Sequence, residues 1–310
     1  MTRVAAIDCG TNTARLLVAD LDAETGTAVD LHRVETIVRL GQGVDRTRRL
    51  ADGALARTYA ALETYAGLVS AAGVVRTRCV ATSAVRDASN HDDFVAGVQA
   101  IIGVRPDVIT GDEEARLSYD GATRGLPQQE GVSRRAPLLV VDVGGGSTEL
   151  VFGGDDYEAP QGTSIDIGSV RLTERHLHSD PPRPAEVAAA LADVSAAVDG
   201  AGLRLEDAGA MVGVSGTVMT MAAFVLGLDR YDSSRVHHAR LPAADLLDAC
   251  ERMLAMPVRL RRRLGFMVAG RADVIGGGAL VLAEVVRRTR LDTVVASEHD
   301  ILDGVAWSLA

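Results

Sequence analysis

Short apolar stretches that end in small polar loops appear twice along the chain in the same arrangement. Residues 3–7 and 138–141 each read as a buried strand, and each strand delivers an aspartate, Asp8 or Asp142, into a loop of glycine and hydroxyl residues. In both places a second strand, a hairpin turn and a third strand follow. A repeat of this length predicts two similar domains rather than a solenoid.

The periodicity of the remaining chain predicts alternating strands and helices. Further strands are predicted at residues 15–21, 29–40, 76–81, 106–109, 149–152, 163–168, 211–214 and 293–296, and helices at 51–72, 94–102, 183–200 and most of 243–309, with another helix opening at 111. This alternation is typical of an α/β protein. The uncharged stretch 209–228 is broken by glycine and hydroxyl residues, which favours a strand, a turn and a core helix over a membrane span.

Composition excludes several kinds of chemistry. All 32 basic residues are arginines, so Schiff-base catalysis and a phosphate loop carrying a lysine are ruled out. A formal net charge of −10 argues against binding to nucleic acid or to a membrane surface. We interpret the three scattered cysteines, Cys9, Cys79 and Cys250, as buried reduced thiols and expect a cytoplasmic location, because the N-terminus shows no apolar leader.

The two repeated loops offer the groups that bind linked phosphates. Glycine lets a loop turn its N–H groups toward phosphate oxygens, and hydroxyl side chains add further donors. We predict phosphate contacts from these residues: Gly10, Thr11, Asn12 and Thr13 in the first loop, and Gly144, Gly145, Gly146, Ser147 and Thr148 in the second. Asp8 and Asp142 would repel phosphate directly, so a divalent cation is expected between them and the substrate, and Mg²⁺ suits that ligand set.

Three further segments carry candidate chemistry. Ser215, Gly216 and Thr217 follow an apolar strand, and they either cap a helix or contact phosphate at its N-terminus. Glu114 lies in an acidic first helical turn, where it either complements the helix dipole or orients a water for phosphoanhydride hydrolysis. Arg86 follows a strand end, and it is either a surface arginine or the group that stabilises charge on the phosphate oxygens.

Together these motifs resemble the exopolyphosphatase and guanosine pentaphosphate phosphohydrolase family. The resemblance rests on residues 8–13, 81–86, 111–116, 142–150, 213–217 and 270–277, in family order, so it covers nearly the whole chain. It implies the actin/Hsp70/sugar-kinase (ribonuclease H-like) fold, with two duplicated domains around a phosphate-binding cleft. The domains would span residues 1–130 and 131–310, with the last helix, at about 300–310, packing back on the first.

The resemblance also implies roles for individual residues. Glu114 would be the water-activating base and Arg86 a phosphate contact, while Asp8, Asp142 and Glu149 would hold Mg²⁺, with Mn²⁺ as a substitute. A homodimer is a further expectation. The first loop has threonines where the family more often has serines, and the hydroxyl groups are retained. Longer members continue into helical domains beyond the equivalent of Ala310, so short polyphosphate chains are the expected substrates.

Three functions remain open at this point. The leading prediction is Mg²⁺-dependent release of terminal phosphate from inorganic polyphosphate. The alternative is hydrolysis of the 5′-phosphate of guanosine pentaphosphate (pppGpp), and a different class is a non-hydrolytic nucleotide-binding regulator or a kinase of the same fold. The arginine cluster at 259–263 is either a solvated helix face or a collector of polyanions, and the histidine pairs at 176/178 and 237/238 are interpreted as structural rather than metal ligands.

Overall fold

The computed structural model describes residues 1–126, 137–154 and 159–310. The chain divides into two compact units. Unit 1 comprises Met1–Gly121 and Ile301–Ala310, and unit 2 comprises Ala122–Asp300. The predicted domain boundary at residues 130 and 131 lies outside the described residues.

Strands and helices alternate along the described chain. The strands are β1 (Thr2–Cys9), β2 (Thr13–Asp22), β3 (Thr27–Ile37), β4 (Arg76–Ala81), β5 (Asp107–Val108), β6 (Leu138–Val143), β7 (Thr148–Gly153), β8 (Gln161–Ile165), β9 (Ala210–Val214), β10 (Arg240–Pro242) and β11 (Thr293–Ala296). The helices are α1 (Val44–Thr47), α2 (Asp52–Ala72), α3 (Ser83–Arg86), α4 (His91–Ile102), α5 (Gly111–Thr123), α6 (Ser169–His176), α7 (Pro184–Gly200), α8 (Ser215–Val225), α9 (Ser233–Val236), α10 (Ala243–Ala255), α11 (Val258–Arg261), α12 (Ile275–Thr289) and α13 (Ile301–Trp307).

Unit 1 is a five-stranded mixed sheet in the order β3-β2-β1-β4-β5. Successive residues of the buried strand β1 point to opposite faces. Ala5 and Ile7 belong to the apolar cluster that includes Tyr65 of α2 and Phe94 of α4. Val4 and Ala6 belong to the cluster formed with α5 and α13. Asp8, two residues beyond Ala6, therefore lies on the α5 face of the sheet.

Unit 2 repeats this arrangement and adds one strand. Its sheet has the order β10-β11-β9-β6-β7-β8, so that β6, β7, β8, β9 and β11 correspond to β1, β2, β3, β4 and β5. Strand β6 pairs antiparallel with β7 and parallel with β9, just as β1 pairs with β2 and β4. Val141 and Val143 of β6 pack in one large cluster with residues of α8, α10 and α12.

These topologies confirm the predicted α/β class and the duplicated actin-like fold. The uncharged stretch forms β9 and α8, as expected, and no helix among the described residues is long and apolar enough to cross a membrane. The three cysteines are free and buried.

Several sequence predictions were wrong in detail. β3 ends at Ile37 rather than at residue 40, and α6 was not predicted. The arginine cluster at 259–263 is not a uniformly solvated face, because Arg261 is buried, with its guanidinium on the carbonyls of Leu254 and Ala272. Its neighbours Arg262 and Arg263 are exposed.

Candidate functional site

The turns after β1 and β6 place matching residues at matching positions. Asp8 is opposite Arg15 in the β1–β2 pairing, and Asp142 is opposite Glu149 in the β6–β7 pairing. In both turns the N–H of the first glycine donates to a carbonyl three residues later, from Gly10 to Thr13 (2.9 Å) and from Gly144 to Ser147 (3.1 Å). Arg15 and Glu149 are therefore structural equivalents with opposite charge.

Arg15 neutralises the aspartate of unit 1. Its Nη2 and Nε donate to Oδ2 of Asp8 at 2.7 and 3.1 Å, and both side chains are largely buried. In unit 2 the corresponding pair is two buried carboxylates, Asp142 and Glu149, with Ser164 Oγ donating to Glu149 Oε1 at 2.7 Å. Side chains at directly opposed positions of an antiparallel pair lie about 5 Å apart at Cβ.

The second loop has its carbonyl groups fastened by the segment that enters α6. The carbonyls of residues 144–146 accept these hydrogen bonds: Ser169 N–H to Gly144 (2.9 Å), Val170 and Arg171 N–H to Gly145 (2.8 and 3.2 Å), and Arg171 Nε to Gly146 (2.6 Å). In a trans peptide the carbonyl and the following N–H point in opposite directions. The N–H groups of Gly145, Gly146 and Ser147 therefore face away from α6, the arrangement that an anion-binding loop requires.

Glycine is needed here for close packing. A Cβ at Gly168, the residue before α6, would lie 2.5 Å from the carbonyl carbon and oxygen of Gly145. The Thr148 hydroxyl donates to the carbonyl of Ile167 at 2.7 Å, so it fastens the same contact between the loop and the segment before α6.

The first loop is fastened by the segment after β3. The backbone carbonyl of Asn12 accepts hydrogen bonds from the N–H groups of Val38 (3.0 Å) and Arg39 (2.9 Å). The backbone carbonyl of Thr11 accepts one from Gly41 N–H (2.8 Å). The Thr11 hydroxyl lies 2.9 Å from that of Ser83, at the start of α3. The same peptide geometry turns the N–H of Asn12 away from the 38–41 segment.

The third predicted loop opens α8. Ser215 has a left-handed backbone (φ 73°), which is costly for a residue with a Cβ and is typical of functional turns. Gly216 lies against the buried guanidinium of Arg271, and a Cβ there would be 2.3 Å from Nη2. Arg271 Nη1 also lies 3.3 Å from Thr220 Oγ1.

Glu114 and Arg86, predicted separately, are in contact within unit 1. Arg86 Nη1 donates to Glu114 Oε2 at 3.1 Å and to the carbonyl of Ile109 at 2.8 Å. Glu114 is only 6% exposed, and its Oε2 lies against the Arg86 guanidinium. The neighbouring Glu113 instead pairs with Arg78 at 2.6 Å near the surface. The two adjacent glutamates therefore differ in environment: Glu114 is buried against Arg86, and Glu113 pairs with Arg78 near the surface.

The carboxylates of unit 2 suit a divalent cation better than Asp8 does. Mg²⁺ is held by one or two carboxylates together with waters and substrate phosphates. Asp142 and Glu149 would supply the two carboxylates. Asp8 Oδ2 is already engaged by Arg15. Over the described ranges, no group of three or more His, Cys, Asp and Glu side chains is arranged to hold a metal. The role of Asp8 as a metal ligand stays a prediction.

Sequence reasoning missed Arg15 and the helix that carries Arg171. The signal for Arg15 was present, because the loops align without a gap from Asp8 to Arg15 and from Asp142 to Glu149. Helix α6 has only eight residues, and its two aliphatic residues, Val170 and Leu172, are not spaced by three or four positions.

The repeated sheet topology of its two units defines an α/β protein of the actin-like class. The sequence profile of the Ppx/GppA phosphatase family matches residues 17–310. The chain is 48% identical to Exopolyphosphatase 2 of Mycobacterium tuberculosis, covering 100% of this chain and 99% of that protein. A crystal structure of an exopolyphosphatase-like protein matches with a TM-score of 0.93 and 42% identity over 100% of this chain and 98% of that one. The Aquifex aeolicus Ppx/GppA family member matches with a TM-score of 0.80 and 30% identity over 99% and 98%.

The chain belongs to the Ppx/GppA phosphatase family. It is accordingly a hydrolase-family protein, and the predicted resemblance is confirmed.

Proposed function

We propose that the protein is an exopolyphosphatase that releases the terminal phosphate of inorganic polyphosphate. The observation that carries the proposal is the contact between Arg86 and buried Glu114. The relative from Mycobacterium tuberculosis carries the same activity in its name. The net charge of −10 disfavours collection of a long polyanion, so we propose short chains as the preferred substrates.

Glu114 acts as the general base. Its carboxylate takes a proton from a water as the water oxygen attacks the terminal phosphorus. The bond from that phosphorus to the bridging oxygen breaks, and its electron pair stays on the shortened polyphosphate. Arg86, bound to Glu114 Oε2, orients the carboxylate and places positive charge beside it.

The phosphate chain is held without lysine. In the second loop, the N–H groups of Gly145, Gly146 and Ser147 donate to phosphate oxygens. Asp142 and Glu149 would hold Mg²⁺, which when bound would neutralise charge on the phosphate oxygens.

The direct test is phosphate release in the presence of Mg²⁺ from tripolyphosphate, long-chain polyphosphate, pppGpp and ATP at equal terminal-phosphate concentration. The proposal expects the fastest release from tripolyphosphate and loss of release in EDTA. Faster release from pppGpp would make the protein a guanosine pentaphosphate phosphohydrolase. No release from any of the four would overturn hydrolysis and leave the regulator or kinase alternative.

Homodimerisation stays a prediction. Sedimentation of the purified protein would test it, with a mass of twice 32.5 kDa as the expected result.

A further inference from the structure

We propose that Arg171 is a positioning residue that holds the second phosphate loop in its binding conformation. The inference deepens the proposed function and rests on it for the identity of the substrate. Arg171 lies in the first turn of α6, is 6% exposed, and its Nε donates to the carbonyl of Gly146 at 2.6 Å.

Arg171 is bound to the loop at two peptide units. Its backbone N–H donates to the Gly145 carbonyl at 3.2 Å, and its side chain takes the next carbonyl, that of Gly146. The second bond fixes the peptide whose N–H belongs to Ser147. Without it, that peptide could rotate, its N–H would no longer face the substrate, and the buried carbonyl would lose its charged donor.

Unit 1 shows that this side-chain bond replaces a backbone bond. The backbone carbonyl of Asn12, the structural equivalent of Gly146, accepts hydrogen bonds from the backbone N–H groups of Val38 and Arg39. In unit 2 the backbone donors of the α6 segment reach only Gly144 and Gly145, and the donor to Gly146 is the Arg171 guanidinium. The second loop therefore depends on one side chain where the first depends on the main chain.

Arg175, one turn further along α6, provides a matched control. It pairs with Asp193 at 3.2 Å, on a partly exposed surface of the same helix. Asp166 provides a second control, because its carboxylate lies 3.8 Å from Arg171 Nη2 but is largely exposed. Screening by water makes that ion pair weak.

The test compares wild type with Arg171→Gln, Arg171→Lys, Arg175→Gln and Asp166→Asn. Tripolyphosphate binding is measured by calorimetry with Mg²⁺ at low temperature, and phosphate release gives kcat and KM. Loss of a charged hydrogen bond to a buried acceptor predicts about 10- to 100-fold weaker binding for Arg171→Gln. The KM and the inhibition constant of inorganic phosphate should rise in parallel, and the two controls should stay within about twofold of wild type.

Arg171→Lys keeps the charge but not the planar donor, so we expect an intermediate loss; this variant decides the matter if Arg171→Gln fails to fold. Binding by the Arg171 variants within about twofold of Arg175→Gln would overturn the inference. A binding loss that merely equals the unfolded fraction seen by circular dichroism would also overturn it. If the wild type binds tripolyphosphate but hydrolyses nothing, the proposed function fails while the role of Arg171 is still decided by the binding data.

Discussion

The turns after β1 and β6 share a backbone and differ in charge. Each carries an aspartate near the end of its first strand and a matching residue across the hairpin, and each has its carbonyls fastened by the segment after the third strand. In unit 1 the opposed residue is Arg15, which makes the pair neutral; in unit 2 it is Glu149, so that the pair consists of two carboxyl groups. The same strand-turn-strand backbone thus carries an ion pair in unit 1 and a candidate cation site in unit 2.

The two units also differ after the fifth strand of the repeat. In unit 1 the chain leaves β5 and begins α5, which presents Glu114 to Arg86. In unit 2 the chain leaves β11 through Ser297 and His299, where the rings of His237 and His299 lie 4.6 Å apart. The proposed base, Glu114, and the candidate cation carboxylates, Asp142 and Glu149, belong to different copies of the repeat, and each copy can be tested by itself.

Removal of the base should have the largest effect. Glu114→Gln keeps the shape and a hydrogen bond to Arg86 but cannot accept a proton, so we expect kcat to fall about 100- to 10,000-fold with little change in tripolyphosphate binding. Glu113→Gln is the matched control, because Glu113 is bound to Arg78 instead. Near-normal turnover by Glu114→Gln would show that Glu114 is not the general base.

The charge difference predicts which copy responds to Mg²⁺. A cation present at a hundredfold excess over its Kd stabilises a protein by about 2.7 kcal/mol. We expect Mg²⁺ to raise the melting temperature of wild type and of Asp8→Asn, and to have little effect on Glu149→Gln or Asp142→Asn. Loss of the Mg²⁺ response in Asp8→Asn instead would place the cation at Asp8 in unit 1.

The ion pair of unit 1 should matter more for stability than a surface pair in the same strands. Asp8→Asn leaves the largely buried Arg15 with a neutral partner, and we expect a loss of about 2 kcal/mol in the free energy of unfolding. The control is Asp20→Asn, whose partner Arg3 is more exposed and sits at the other end of the β1–β2 pairing. Chemical denaturation should show a smaller loss for the control, because water screens the exposed pair. Equal losses of unfolding free energy in Asp8→Asn and Asp20→Asn would mean that burial of the Asp8–Arg15 pair does not add to its stabilising effect.

Much of the fold was predictable because its signals are local. The apolar runs at β1 and β6, the loops after them and the strand at β4 each follow from a few consecutive residues. The different surroundings of Glu113 and Glu114 could not be predicted, since the two are adjacent in sequence and contact different arginines. Arg15 was missed because its contact with Asp8 forms only when the hairpin pairs, and Arg171 because it lies on an eight-residue helix, 25 residues along the chain from Gly146.

The smallest expected effect concerns the histidine stack after β11. His238 N–H donates to the carbonyl of Ala296 at 2.7 Å, its ring stacks on His237 at 3.7 Å, and burial, with His299 nearby, lowers its pKa below the usual 6.5. The folded protein then binds fewer protons than the unfolded chain, so this contribution to stability is present above about pH 6.5 and is lost as the pH falls toward the lowered pKa.

His238→Asn removes the titration while keeping a residue that tolerates the left-handed backbone at this position (φ 61°). We expect the free energy of unfolding of this variant to fall less than that of wild type between about pH 7.5 and pH 5, by under about 1 kcal/mol because the ring is partly exposed. The exposed His178 is the control, and His178→Asn should follow wild type. A parallel decline in His238→Asn and wild type would mean that the stack does not sense protons. A flatter decline in His238→Asn would show that protonation of His238 destabilises the folded protein at acidic pH.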